Sequence, residues 1–453
     1  MLMAMPRWLN GESRWGGRIR MVVTSENQRH QERPALGWGE RGVAAPSGHV
    51  TVDAGQRFQP ILGFGAALTD ASCFLLSQMD RASRQRFFSE TYSPRRMGLN
   101  FGRCAIGSSD YSRSVFNYDD VAGDVEMRHF SVAHDEQYLL PMLREIRSVN
   151  PDLFLLATPW SPPGWMKSSG SMLGGRMSTE YLAPYARYLS RFLSTYDRAG
   201  VRINAITSQN EVETDQSGRM PACYWAAETE EVFVRDHLWP QLKKDGLDVQ
   251  IWLLDHNYDL WKRVLSQLGD RGLRQYVDGV AWHGYLGTPD MMSRVHDQYP
   301  DVPFYWTEGG PDITDPNYAK DWTKWGKIFT DVLTNWCRGI ITWNLMLDER
   351  GRPNIGPFFC GGLVTVRNDG KIVESGQYWA LRHFSQHVRR NALRIASRSD
   401  SDGLQHVAMR NPDGDSVLVL TNPGGDRVVR LVDGERLADI TLPHNSITTL
   451  RWM

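Results

Sequence analysis

The sequence predicts an α/β protein: a (β/α)8 barrel with a smaller all-β sandwich domain formed from both termini. Three observations carry this. Short apolar runs that end in polar or aromatic residues alternate with helix-length segments whose apolar residues recur at spacings of three and four. The alternation repeats eight times, the count at which a parallel sheet closes on itself. Beyond about residue 388 the texture changes to short strand-like runs separated by Asn-Pro-Asp-Gly, Asn-Pro-Gly-Gly and Asp-Gly turns, which suits antiparallel pairing.

In chain order, Arg18–Thr24 and His49–Asp53 are strand-like pieces placed to join the terminal sheet. Barrel strands are expected at Ile61–Asp70, Gly98–Asp110, Leu153–Trp160, Ile203–Glu211, Val249–Asn257, Val277–Tyr285, Val302–Glu308 and Gly339–Asn344. The helical spacing predicts helices over Ala71–Phe88, Thr179–Ala199, Glu228–Lys244 and Tyr318–Trp336. The terminal module offers strands at Leu404–Arg410, Ser416–Thr421, Arg427–Val432 and Ser446–Trp452. The expected division is an N-terminal segment 1–57 given to the sandwich, the barrel 58–388, and the C-terminal sandwich 389–453.

Composition narrows the function classes. With 51 Lys+Arg against 52 Asp+Glu the net charge is −1, which lacks the basic excess of a nucleic-acid binder. No nucleic-acid partner and no stable membrane insertion are expected. No apolar run before Ala45 suits a signal peptide, and no stretch of about 18 apolar residues occurs. A cytoplasmic location is the expectation, with Met1 or Met21 as the translation start. The five cysteines are odd in number and form no C-x-x-C pair, so they read as buried free thiols. His383 and His387, spaced i, i+4 without a third ligand, read as a helix-surface pair, and neither metal nor organic cofactor is expected. The 17 Trp, 16 Tyr and 16 Phe supply flat amphipathic surface that suits sugar faces as well as cores.

Active sites of such barrels lie at the C-terminal ends of the strands. Those ends carry Thr69-Asp70, Arg103 with Asp110, Trp160, Asn210-Glu211, Asp255-His256-Asn257, His283 with Tyr285, Glu308, and Trp343-Asn344. Glu211 and Glu308 end the fourth and seventh strands, so they face one another across the mouth. Two carboxyls across a cleft are what glycoside hydrolysis requires, one to protonate the leaving oxygen and one to attack or to activate water. Taken singly, Glu211 also reads as a helix-start carboxylate and Glu308 as an ion-pair partner. Arg103 is placed to keep a nucleophile anionic. Trp160, in a proline-rich loop, and Trp343, with Asn344 beside it, are placed to stack on a sugar. Asn210 and Asp110 are placed to hydrogen-bond its hydroxyls.

At these residues the sequence resembles glycoside hydrolase family 30, the clan A group of glucosylceramidases, β-glucosidases, β-xylosidases and β-1,6-glucanases. The resemblance runs from about Gln59 to His387. It is carried by Gly63-Phe-Gly-Ala-Ala-Leu-Thr-Asp70, Arg103 through Ser109-Asp110-Tyr111-Ser112, Thr158-Pro-Trp-Ser-Pro-Pro, Gln209-Asn-Glu211, His283-Gly-Tyr285, Thr307-Glu308 and Thr342-Trp-Asn344. It implies a TIM barrel with a β-sandwich beside it and a retaining mechanism with Glu211 as acid/base and Glu308 as nucleophile. It also implies sugar contacts from Asp110, Trp160, Asn210 and Trp343, with Arg103, His283 and Tyr285 around the nucleophile. Two positions depart from the family pattern: Val212 follows the Asn-Glu pair where proline is common, and Gly284 stands where glucosylceramidase-like sequences carry Trp. The expected function is removal of a terminal β-linked sugar, as a β-glucosidase or glucosylceramidase-like enzyme acting on a small-molecule, oligosaccharide or glycolipid β-glycoside. The alternatives are an endo-β-1,6-glucanase or β-xylosidase, and a non-catalytic carbohydrate-binding protein.

Overall fold

The computed structural model describes residues 17–42 and 44–453; the earlier of the two candidate start methionines lies outside them. The chain divides into two compact units, one of residues 61–386 and one formed from residues up to 60 together with 387–453.

The larger unit is a closed eight-stranded parallel barrel. Its strands, in order, are Gly63–Ala67, Phe101–Ile106, Phe154–Pro159, Ala205–Thr207, Gln250–Asn257, Gly279–His283, Phe304–Glu308 and Cys337–Thr342. Four aromatics fill the interior away from the mouth. Trp252 and Tyr305 stack with centroids 3.8 Å apart, Phe154 stacks on Trp252 at 5.8 Å, and Phe101 meets all three edge-on. Glycine makes room for them: a Cβ on Gly65 would fall 1.4 Å from the Phe101 carbonyl oxygen, and one on Gly339 would fall 2.8 Å from the Phe101 ring. Much of the aromatic surplus is therefore packing.

Two expected elements are cut differently. The first long helix is two, Asp70–Gln78 and Arg81–Tyr92. Met79 is extended and Asp80 starts the second helix, its carboxylate accepting from the Ser83 N–H at 2.9 Å, a side-chain cap of ordinary kind. The run expected over Glu228–Lys244 is helical from Ala227 to Lys244 but widens to a π-helical turn at Phe233–Leu238. Pro240, which has no N–H to give to the preceding turn, lies just beyond it.

The smaller unit is a nine-stranded sheet. Arg18–Ser25 pairs antiparallel with Ser446–Trp452, and His49–Pro60 lies between Leu393–Ser399 and Arg427–Asp433. Both ends of the chain thus build one sheet. Three of its strands, Gln28–Gly37, Leu393–Ser399 and Arg436–Leu442, lack a strong alternation and go unread in the sequence. Its core is formed by Ile19, Val50, Ile395, Leu418, Leu431, Ile440, Leu450 and Trp452.

His383 and His387 are not a surface pair: both are buried, and His387 stacks on His30 with centroids 5.2 Å apart. The five cysteines form no disulfide with one another; four are buried and Cys360 is partly so. No helix among the described residues is long and apolar enough to cross a membrane.

Candidate active site

The mouth of the barrel holds a cavity of about 580 Å³ lined by Asp110, Trp160, Asn210, Glu211, Tyr285, Glu308 and Trp343, together with Gln216, His256, Leu286, Phe358 and Cys360. A volume of this size suits a small ligand.

Glu308 ends the seventh strand and is 6% exposed. Arg103 Nη1 donates to its Oε2 at 2.5 Å, and the Tyr285 hydroxyl donates to its Oε1 at 3.1 Å. Glu211 lies in the loop after the short fourth strand, at φ 53°. The N–H of Asn210 donates to Pro159 O at 2.7 Å and that of Glu211 to Asp255 O at 2.9 Å, which holds this left-handed turn in place. Leu254, Asp255 and Asn344 also have positive φ, at 73°, 47° and 55°. Left-handed backbone at several strand ends is the kind of strain that collects where side chains must be aimed.

Beneath the two glutamates lies a buried network. Arg103 Nη2 donates to Asn210 Oδ1 at 2.7 Å and to Asp255 Oδ2 at 2.8 Å. The hydroxyls of Thr158 and Thr207 lie 2.8 and 2.9 Å from Asp255 Oδ2, and Thr307 donates to Oδ1 at 2.7 Å. His283 Nε2 is 3.0 Å from Asp255 Oδ1. The same imidazole lies 3.5 Å from Glu211 Oε1 through Nδ1 and 3.8 Å from Glu308 Oε2 through Nε2. Gln216 Nε2 donates to Glu211 Oε2 at 2.8 Å.

The charges follow from these neighbours. Burial pushes the Asp255 carboxyl up, but Arg103 and the bond from His283 outweigh it and hold the group far below the usual carboxylate range. Burial lowers His283, yet Glu308, Asp255 and Glu211 raise it to about 9. Burial drives Asp110 well above its ordinary value, with the Glu308 and Glu211 charges adding to the rise. The glutamates titrate as a pair. Burial and the Glu211 charge raise Glu308 against His283 and Arg103, whereas His283 and His256 lower Glu211 against its burial. The Arg103 and His283 side chains thus face the Asp255 carboxylate and the coupled glutamates, so that buried charges of both signs lie against one another.

The two indoles expected at the rim meet each other. Trp160 and Trp343 stack with centroids 5.2 Å apart and a 21° tilt, and the Arg103 guanidinium lies 4.6 Å from the Trp160 centroid. Each is 2% exposed, so they form a cavity wall rather than projecting plates. Asp110 Oδ1 is buried without a hydrogen-bond partner among the described residues, which leaves it open to a hydrogen bond with a sugar hydroxyl. Asn344 does not join them. Its positive φ turns the side chain under the rim, where it is fully buried and Oδ1 accepts from Thr69 Oγ1 at 3.0 Å. The sequence reading placed Asp255 and His256 at a strand end without giving either a role, and gave none to Gln216. The usable signal for Asp255 was threonine at the ends of three different strands, Thr158, Thr207 and Thr307, all converging on one carboxylate.

Residues 61–388 match the glycosyl hydrolase family 30 TIM-barrel domain, and residues 391–450 match the family's beta sandwich domain. An endo-1,6-beta-D-glucanase of Neurospora crassa is 31% identical over 407 residues, 83% of this chain and 82% of its own. The lysosomal acid glucosylceramidase of Mus musculus is 25% identical over 392 residues, 81% of this chain and 76% of its own. A solved endo-beta1,6-glucanase superposes with a TM-score of 0.87 at 29% identity, covering 96% of this chain and 99% of that one.

Proposed function

Since the chain belongs to glycosyl hydrolase family 30 and is a glycoside hydrolase, we propose that it cleaves a terminal β-linked glucose with retention, using Glu308 as nucleophile and Glu211 as acid/base. The observation that carries this reading is the unequal setting of the two carboxyls. Burial and the Glu211 charge raise Glu308, while His283 and His256 lower Glu211 against its burial. Against this, Glu308 is bonded directly to a guanidinium and a phenol, which stabilise its anion, whereas Glu211 is hydrogen-bonded by a neutral amide. It is this direct bonding that we take to set the roles. In the first step Glu308 attacks the anomeric carbon as Glu211 gives its proton to the departing oxygen, leaving a glycosyl ester. Glu211, now ionised, takes a proton from water, whose oxygen attacks the same carbon and frees Glu308. Asn210, tied to Arg103, suits the hydroxyl next to the reacting carbon, a contact that strengthens as charge develops.

Tyr285, Leu286 and Phe358 line the cavity and are solvent-exposed at its edge, with Glu213, Thr214 and Asp259 also in the lining. An apolar edge of this kind suits a hydrophobic leaving group, as in a glycolipid or aryl glucoside. An endo-β-1,6-glucanase is the second reading, favoured by the enzymes of that name in Neurospora crassa and among solved structures.

The variants Glu308→Gln and Glu211→Ala test the roles. Glu308→Gln is expected to abolish turnover of aryl β-glucosides. Glu211→Ala is expected to lower kcat by about 10²–10⁴-fold and to recover on adding azide with an activated leaving group. Azide rescue of Glu308→Gln in preference to Glu211→Ala would reverse the assignment. A panel of aryl β-glucoside, aryl β-xyloside, glucosylated lipid and β-1,6-glucan separates the substrate readings.

A further inference from the structure

Glu211 Oε1 is faced by two imidazole nitrogens, His283 Nδ1 at 3.5 Å and His256 Nδ1 at 3.8 Å. Both nitrogens are buried without a hydrogen-bond partner among the described residues. His283 is 0% exposed and His256 is 9% exposed. The separations are long for hydrogen bonds. They are close to the roughly 3.4 Å edge of a tetrahedron whose metal–nitrogen and metal–oxygen bonds are about 2.1 Å. The three ligand atoms all lie within 4.8 Å of one another, so a small swing of His256 completes the triangle.

The surroundings are those of a metal site as well. The other nitrogen of His283 is bonded to Asp255 Oδ1 at 3.0 Å, the carboxylate–imidazole pairing that orients metal-bound histidines and raises their basicity. Gln216 holds Glu211 Oε2 at 2.8 Å, which leaves Oε1 to the imidazoles. Glu211 and His256 both line the cavity, so an ion has a route in and a fourth coordination position open to water. If the only task of this corner were to share protons among Asp255, Glu211 and Glu308, His283 would suffice. His256 is the residue that proton sharing leaves unexplained.

We propose that Glu211, His256 and His283 form a binding site for a divalent transition-metal ion of the zinc class, and that its occupancy inhibits hydrolysis by tying up Glu211. Two imidazoles and one carboxylate suit Zn²⁺, Cu²⁺ or Ni²⁺; Mg²⁺ and Ca²⁺ seek more oxygen ligands. On binding, a proton held at His283 Nδ1 passes to solvent. The site itself stands on the geometry, whereas the inhibition rests on the reading of Glu211 as acid/base.

The test is isothermal titration calorimetry of the full chain, stripped with EDTA and exchanged into chelator-free buffer, with ZnCl2 and separately with MgCl2. Saturable binding of a single zinc ion per chain is expected, with no magnesium binding. Zinc affinity should fall at least about 10-fold in His256→Phe and in Glu211→Gln. Thermal melts establish that each variant is folded, and either folded variant suffices to decide. Unchanged zinc affinity in a folded variant, or no saturable zinc binding to the unaltered protein below millimolar concentration, overturns the site. In an aryl β-glucoside assay zinc should lower kcat and EDTA should restore it. Bound zinc with undiminished turnover overturns the inhibition. Because calorimetry needs no substrate, a failure of the glycosidase reading and a failure of the metal site are read separately.

Discussion

Asp255 touches no reacting atom in the proposed mechanism, yet Arg103, His283 and three threonines converge on it. Replacing it with Asn would leave both cations short of a buried counter-charge. Removing one partner of a buried pair costs about 3–5 kcal/mol, so Asp255→Asn should lower the unfolding free energy by about that amount in denaturant titration. Activity should fall with it, since Arg103 then has one anchor fewer. His283 carries a pH signature. Its pKa is raised from an ordinary 6.5 to about 9; the stability it contributes is fully present below about pH 6.5 and is lost as pH rises through about 9. Melting temperatures measured from pH 6 to 10 should decline across that window, and the decline should be shallower in His283→Gln. Glu211, Glu308 and Arg103 were legible in the sequence because a parallel barrel delivers every strand end to one rim. Asn344 was misread because its direction is set by a backbone angle, φ 55°, that no strand pattern encodes.

The packing of one element explains the departure from the family pattern at Gly284. Gly284 follows the sixth barrel strand, and a Cβ there would stand 2.7 Å from the Trp306 ring. The indole of Trp306 fills the space that a larger side chain at 284 would need, so this mouth cannot carry both. Gly284→Ala should cost about 1–3 kcal/mol by overpacking, read as a lower denaturation midpoint, and Trp306→Phe should relieve part of it. The same scale shows where local reading stops. The break at Met79–Asp80 had a readable cap in Asp80 followed three residues later by Ser83. The burial of His383 had no local signal, because it depends on what packs against its helix.

For the molecule as a whole, the barrel was written in a repeated alternation and the sandwich in its turns, but the sandwich pairings join residues hundreds of positions apart. Among the described residues, strand His49–Pro60 pairs only with strands from beyond residue 390. A chain truncated after Gln386 should therefore leave that strand without partners and lose soluble yield; hydrogen exchange over residues 49–60 would report it as fast, unprotected amides. The central claim concerns the reaction itself: two displacements at one carbon through an ester on Glu308. Proton NMR of the sugar released from an aryl β-glucoside, followed within the first minutes of turnover, tests it most directly. The β-anomer should appear first and the α-anomer only later by mutarotation; initial release of the α-anomer would contradict the account.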